Sequence, residues 1–276
     1  VEIELPEGTR RVEAHAARGL EYRSASGASE VLDSRARIGI RLERWTDQES
    51  RGWIATDGHV HYGRPDPSGD KDWLAMMEAD GLDQAHFLLA RGGNLPGLWA
   101  EQHAFGSKGE AFDGTRLIRP GEEYRDSAQG HVNLLGIEEM IPPVSTGDLG
   151  DPAAPFTYPE LLEVMLRART LGGLAGVAHG AALGEEPTAV VDAVLGGVDF
   201  WEIANAHLYW PSLWYRLMNC GYALPPAGGT DLPNFPQRDP WQPFLGSLRM
   251  YVQTGGRRTF DAWKAGLLRG DVFVTS

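Results

Sequence analysis

The sequence contains a single cysteine, Cys220, among its 276 residues, and it has no long uninterrupted hydrophobic run. One cysteine excludes an intramolecular disulfide and every cysteine-rich zinc module, so any metal site must use His, Asp and Glu. No stretch approaches the roughly 18 consecutive apolar residues of a membrane helix, and Val1 to Leu5 do not resemble a signal peptide. We therefore expect a soluble chain without a membrane partner, exported only if a signal peptide precedes Val1.

Positive charge is also scarce. The chain has 25 Lys and Arg against 38 Asp and Glu, which gives a formal net charge of −13. A field of this sign repels phosphate backbones and anionic membrane surfaces. We therefore expect a small-molecule substrate and no nucleic acid partner. The sequence does not indicate an oligomeric state.

The composition is that of a folded protein, because hydrophobic residues make up 42% and charged residues 23% of the chain. Residues 1–45 differ from the rest. Alternating runs at Val1 to Leu5 and Ile38 to Leu42 predict short antiparallel strands, which we interpret as the remnant of a β-rich, sandwich-like domain. Over residues 46–276 predicted strands and helices alternate, which indicates an α/β fold with a mostly parallel sheet, either open or closed into a barrel.

Histidines and carboxylates fall where several predicted strands end. His59 and His61 are two residues apart on one strand, so both imidazoles point to the same face and can meet one cation. Alone, this pair is equally compatible with structural histidines. Similar residues follow glycines or apolar strands further along, namely Glu123, His131, His179 and Asp231. Because the carboxyl ends of parallel strands meet at one rim, we expect these side chains to converge on a metal site.

The ordered set of these motifs resembles the CehA/McbA family, metallohydrolases of the polymerase and histidinol phosphatase (PHP) superfamily. The resemblance covers about residues 38–276. Its motifs are residues 53–62, Gly-Glu-Glu-Tyr-Arg-Asp at 121–126, Gly-His-Val-Asn-Leu-Leu-Gly at 130–136, Ala-His at 178–179, Glu-Ile-Ala-Asn at 202–205, Gly-Gly-Thr-Asp at 228–231, and the closing segments 246–252 and 269–275.

This resemblance implies a distorted (β/α)7-type barrel that holds divalent metal ions, with zinc expected and manganese or iron as alternatives. It implies that His59 and His61 bind one ion with Asp231, that Glu123 bridges two ions, and that His131 and His179 complete the second site. The Thr-Asp-His and final Asp-x-His patterns of the superfamily are missing, since residues 84–89 read Gln-Ala-His-Phe-Leu-Leu and Asp231 is followed by Leu-Pro. We therefore expect one or two ions and not three.

Four further residues are candidates for contact with substrate. Arg125 is suited to clamping an anionic group, or it neutralises a neighbouring carboxylate. Glu202 and Asn205 lie near a strand end, where they contact either the substrate or the metal-binding histidines; Glu202 alternatively pairs with a core arginine. His207 is the fourth candidate, and its alternative is an ordinary exposed histidine. His86, inside an apolar strand, is expected to be a core residue.

The predicted function is metal-dependent hydrolysis of an ester, amide, carbamate or phosphoester bond. A cation held by imidazoles and few carboxylates lowers the pKa of bound water to near ~7. Asp231 or Glu123 is expected to orient the attacking hydroxide or to take its proton. No Gly-x-Ser-x-Gly motif is present, which disfavours a serine hydrolase. The alternative is a non-catalytic binding module with a vestigial metal site.

Overall fold

The computed structural model of the protein describes residues 2–92, 95–147, 156–180, 186–206, 208–232 and 244–276. The strands in these ranges are β1 Arg11–Ala16, β2 Tyr22–Arg23, β3 Ala25–Glu30, β4 Glu43–Arg44, β5 Trp53–Val60, β6 Gln84–Gly92, β7 Leu95–Trp99, β8 Ala111–Phe112, β9 Leu117–Asp126, β10 Gly130–Leu135, β11 Ser145–Thr146, β12 Leu174–Val177, β13 Phe200–Asn205, β14 Leu208–Tyr209, β15 Pro226–Gly229, β16 Arg249–Gln253 and β17 Val272–Thr275. The α-helices are α1 Asp70–Asp80, α2 Leu161–Thr170, α3 Ala189–Val194, α4 Ser212–Asn219 and α5 Phe260–Leu268.

Thirteen strands form one curled, mixed sheet. Its main path is β14-β13-β12-β10-β9-β6-β5-β16-β17, and β7, β8, β11 and β15 pair at its sides. The prediction of an α/β fold is therefore correct. The sheet is not a regular (β/α)7 array, because β10 pairs antiparallel with both β9 and β12, and β16 pairs antiparallel with β5.

The β9–β10 hairpin explains this departure. Asp126 Oδ1 accepts hydrogen bonds from the amides of Ala128 and Gln129 at 2.8 and 2.7 Å, which stabilises a tight reversal where a helical crossover would otherwise stand. The hairpin places Arg125 directly opposite His131, and Glu123 opposite Asn133. The hairpin thus places the motif at 121–126 beside the motif at 130–136.

The sheet closes on itself at β5. The first half of this strand pairs with β16, from Trp53 to Thr56. Its far end bonds instead to the segment after β15: the Asp231 amide donates to the His59 carbonyl at 2.7 Å, and the His61 amide donates to the Leu232 carbonyl. This seam brings residues from the two halves of the sheet together at the carboxyl ends of the strands.

The helices pack on the outside of the sheet. Helix α2 has a buried face that includes Val164, Met165 and Ala168. These side chains belong to a cluster that also contains Leu134 on β10 and Val177 on β12. Buried apolar residues at this spacing are the reason why the helix could be predicted from the sequence.

The N-terminal strands lie elsewhere than predicted. Residues 2–6 and 36–42 have no regular structure, whereas β1 pairs antiparallel with β3, and β2 with β4. Alternation without a partner strand does not make a strand, and Ile38 and Ile40 instead cover Gly27 of β3. The division into a β-rich segment at 1–45 and a barrel at 46–276 stays a prediction.

Candidate metal centre

The six predicted ligands converge at the carboxyl-terminal rim of the sheet. They come from five places: the end of β5, the middle of β9, the start of β10, the residues after β12 and the residues after β15. His59, His61, Glu123, His179 and Asp231 are buried, and His131 is partly exposed. These side chains form two groups that share the carboxylates of Glu123 and Asp231.

The first group consists of His59, His61 and Asp231. The two imidazole Nε2 atoms are 3.0 Å apart, and Asp231 Oδ1 is 3.5 Å from that of His59 and 3.3 Å from that of His61. Ligands about 2.0–2.1 Å from a common ion lie roughly 2.9–3.4 Å apart in octahedral or tetrahedral geometry. The three atoms are therefore spaced as ligands of one cation.

The hydrogen-bond partner at Nδ1 of each imidazole determines which ring nitrogen faces the centre of the site. His61 Nδ1 lies 2.9 Å from the Leu88 carbonyl, which can only accept, so Nδ1 carries the proton. His59 Nδ1 lies 3.2 Å from both oxygens of Glu202. Because an acceptor holds Nδ1 of each ring, Nε2 of each ring faces the other and is the nitrogen through which the neutral imidazole would bind a cation.

The second group consists of Glu123, His131 and His179. Glu123 Oε1 lies 3.3 Å from His131 Nδ1 and 3.3 Å from His179 Nε2. The other oxygen, Oε2, lies 3.2 Å from His61 Nε2. Asp231 is shared in the same way, because its Oδ2 lies 3.5 Å from His179 Nε2. Each carboxylate thus offers one oxygen to each group, as expected of ligands that bridge two ions.

The residues fit divalent metal ions. Glu123 Oε1, His131 Nδ1 and Asp231 Oδ1 are buried and have no hydrogen-bond partner among the residues that the structure describes. Buried polar atoms without partners are costly, and cations bound at the two groups would satisfy all three. Imidazole nitrogen and carboxylate oxygen together suit zinc, manganese and iron.

The electrostatics also favour a bound cation. Burial opposes ionisation of Glu123, yet Arg125 and the neighbouring histidines hold its pKa well below the usual range. Burial likewise lowers the pKa of His59, but Asp231 and Glu202 outweigh it and raise that pKa to about 9. Asp231 likewise has its pKa held well below the usual range, against the effect of burial, by the neighbouring histidines. Glu123 and Asp231 are therefore charged at neutral pH, and they attract protons or metal ions to the imidazoles.

Two ligands occupy backbone conformations that are uncommon for residues other than glycine. His179 has φ +52° and Asp231 has φ +53°. Both follow short parallel strands, where a left-handed residue turns the side chain over the rim. At Gly229 a Cβ would fall onto the backbone and Cβ of His59, so only glycine lets β15 approach β5 this closely.

Two residues that the sequence did not single out support the ligands. Glu186 Oε1 lies 3.1 Å from His179 Nδ1, which directs Nε2 toward Glu123 and Asp231. Buried Asp57 accepts hydrogen bonds from the Thr230 amide at 3.0 Å and the Thr230 hydroxyl at 2.6 Å. The only sequence signal for either residue was its position near a motif.

The candidate substrate residues occupy different positions. The Arg125 Nε donates to Glu123 Oε2 at 2.7 Å, so it lies at the metal centre. Glu202 and Asn205 are buried behind His59, and Glu202 Oε2 also accepts from the His179 amide at 2.7 Å. His207 lies outside the described residues. His86 is a core residue, as predicted, with its ring 4.5 Å from that of Trp263.

Solved structures share this architecture. A two-domain protein from Bacteroides vulgatus that contains a predicted PHP-like metal-dependent phosphoesterase aligns with a TM-score of 0.53 at 14% identity, over 81% of this chain and 64% of that one. The chain has a PHP-like fold. The aligned region covers 64% of the Bacteroides protein, which is less than two thirds of its length. No protein-family model and no curated protein matches the sequence.

Two further solved structures are similar to this chain. PsfC from Pseudomonas syringae aligns at 17% identity with a TM-score of 0.50, over 81% of this chain and 91% of its own. The lesion-specific endonuclease PfuEndoQ from Pyrococcus furiosus aligns at 13% identity with a TM-score of 0.49, over 80% and 57%. Among the described residues, no helix is long and apolar enough to cross a membrane.

The expectation that nucleic acid is excluded as a partner is wrong. An Endonuclease Q structure among the similar chains, 12% identical with a TM-score of 0.46, is a complex with a 27-mer duplex. Net charge is summed over the whole surface, whereas binding depends on the local field, which bound cations dominate at a metal centre. A total of −13 therefore does not exclude a nucleic acid ligand.

Proposed function

We propose that this protein is a metal-dependent hydrolase that cleaves a phosphoester, with one or two divalent ions at the centre. The observation that carries the proposal is the convergence of His59, His61 and Asp231, with both Nε2 atoms directed inward by their partners. The ordered motifs further support membership of the CehA/McbA family. Zinc is the metal we propose, with manganese and iron as the alternatives.

The ligands suit hydrolysis more than a structural metal site. Bound divalent ions supply a nucleophilic hydroxide at neutral pH and polarise the scissile group. The chain's own residues hold the reactants: Glu123 and Asp231 each span both groups, and they are the candidates for orienting the nucleophile or taking its proton. His131 is partly exposed, so the second group is open to substrate.

Phosphoester cleavage is favoured over amide or carbamate cleavage by Arg125. Its guanidinium lies against Glu123 at the centre, where it can bind a non-bridging oxygen of the substrate. Four buried carboxylates surround the histidines, namely Glu123, Glu186, Glu202 and Asp231. Two bound divalent cations would balance these four carboxylates, and Arg125 then leaves a net positive charge that attracts an anionic substrate. The PHP-like phosphoesterase from Bacteroides supports the same bond.

Elemental analysis combined with hydrolysis assays tests the proposal. We expect bound zinc, manganese or iron, lost in His59→Ala and His179→Ala, together with loss of p-nitrophenyl phosphate or bis-p-nitrophenyl phosphate cleavage. The matched control is His15→Ala, because His15 lies exposed on β1, where its ring contacts Ser26 and Glu13. Activity that persists after metal loss contradicts the proposal. Bound metal with no hydrolysis of phosphoesters, esters or amides favours the binding-module alternative.

A further inference from the structure

A tryptophan covers one side of the metal centre. The Trp99 ring centroid lies 4.4 Å from that of His61, and the Arg125 guanidinium lies over the same indole at 5.1 Å. Arg125 in turn donates to Glu123, whose Oε2 approaches His61 Nε2 at 3.2 Å. These four side chains, from β5, β7 and β9, form a closed circuit of contacts.

The circuit leaves hydrogen-bond donors unused. In the described part of the chain, Arg125 bonds only through Nε, so neither Nη group has a partner there. The Trp99 Nε1 is buried and likewise has no partner among these residues. A guanidinium fixed by Nε and by an aromatic face loses little further freedom when Nη1 and Nη2 bind two oxygens of an anion.

The pairing of β7 with β6 positions Trp99 at the site. Trp99 ends β7, which pairs antiparallel with β6 so that this residue lies opposite Ala90. The same β6 supplies the Leu88 carbonyl that orients His61. One strand thus anchors both the indole and the imidazole against which it packs. A change at Trp99 acts on Arg125 and on the packing of His61, and it removes no candidate ligand.

We propose that Trp99 is a specificity-determining residue that holds Arg125 in place to bind an anionic phosphoester oxygen. This inference rests on the proposed function. An aromatic face under a guanidinium is worth about 0.5–2 kcal/mol, which corresponds to roughly 2- to 30-fold in binding. The indole has the largest effect and benzene a smaller one, so Phe is expected to be intermediate between Trp and Leu.

The experiment compares Trp99→Leu and Trp99→Phe on an anionic and a neutral substrate, p-nitrophenyl phosphate and p-nitrophenyl acetate. We expect the KM for the phosphate to rise about 2- to 30-fold in Trp99→Leu, less in Trp99→Phe, with the acetate KM unchanged. In an Arg125→Met background the Trp99→Leu effect should vanish, because Trp99 acts through Arg125. Trp45→Phe is the control, since Trp45 is exposed and bonds to Leu20. Equal losses for both substrates overturn the inference.

Binding of inorganic phosphate to the metal-loaded protein, measured by calorimetry, separates this inference from the proposed function. If wild type hydrolyses neither p-nitrophenyl phosphate nor bis-p-nitrophenyl phosphate, the proposed function fails, while weaker phosphate binding in Trp99→Leu still supports the role of Trp99. Phosphate binding that is absent in wild type, or equal in wild type and Trp99→Leu, overturns the role of Trp99.

Discussion

Glu202 lies directly behind His59, with both carboxylate oxygens 3.2 Å from the imidazole Nδ1. The same carboxylate accepts a hydrogen bond from the His179 amide. One buried side chain therefore orients a ligand of the first group and the backbone of a ligand of the second. Carboxylates in this position fix the tautomer of a metal-binding histidine and strengthen it as a ligand.

We predict that Glu202→Gln weakens metal binding about 10- to 100-fold, because the amide accepts the hydrogen bond but lacks the charge that stabilises the imidazole. Competition with a chromophoric chelator measures this change. Glu163→Gln is the matched control, since Glu163 is exposed on α2. Affinity equal to that of wild type would show that Glu202 has no influence on the ligands.

Glu186 has the corresponding position at the second group, 3.1 Å from His179 Nδ1. We predict that Glu186→Ala loses one ion per chain on dialysis and retains the ion at His59, His61 and Asp231. Glu186→Gln should retain more of the second ion, because its amide oxygen still accepts from Nδ1. Metal counting by mass spectrometry gives the result. Loss of both ions together would contradict two separable groups.

Gly229→Ala tests the seam between β5 and β15. A Cβ there overlaps His59, so the strands must separate, and we expect a loss of about 1–3 kcal/mol in the free energy of unfolding. Denaturant unfolding without metal measures it independently of the ions. Gly39→Ala is the control, because its Cβ would meet no atom within 4 Å. An equal effect at both positions would mean that the overlap is relieved without cost.

His86 predicts a pH dependence of stability. Burial, together with nearby Arg119, lowers the pKa of His86 to about 3, below the roughly 6.5 of the unfolded chain. Between these values the unfolded state binds the extra proton, so stability falls as pH falls, by up to about 1.4 kcal/mol per pH unit. His86→Gln removes this contribution while keeping an acceptor for Gln84. Between pH 7 and pH 4, the free energy of unfolding should change less with pH in the variant than in wild type. An equal pH dependence in the two proteins would refute the assignment.

His59, His61, His179 and Asp231 could be placed at one rim because each lies at or just after the end of a recognisable strand, and parallel strands send their carboxyl ends to one rim. Glu123 and His131 lie instead in the β9–β10 hairpin, whose antiparallel pairing the alternation of strands and helices did not predict. Glu186 could not be placed there, since its approach to His179 depends on the path of a loop. Strand β1 could not be predicted either, because its sequence Arg-Val-Glu-Ala-His-Ala carries small residues on its inner face. The position of Trp99 at the site could not be predicted either. It depends on the pairing of the side strand β7 with β6, which no hydrophobic periodicity in the sequence indicates.

The seam at β5 has a consequence for how the protein matures. Asp57 and Thr230, which hold the two sides together, are 173 residues apart in the chain. Contacts between such distant residues form late, because their loop-closure entropy must be overcome first. On the ribosome, His59 and His61 emerge long before Asp231, so the nascent chain displays an imidazole pair that no carboxylate yet completes. A metal ion held by His59, His61 and Asp231 would therefore be captured only when the fold is complete.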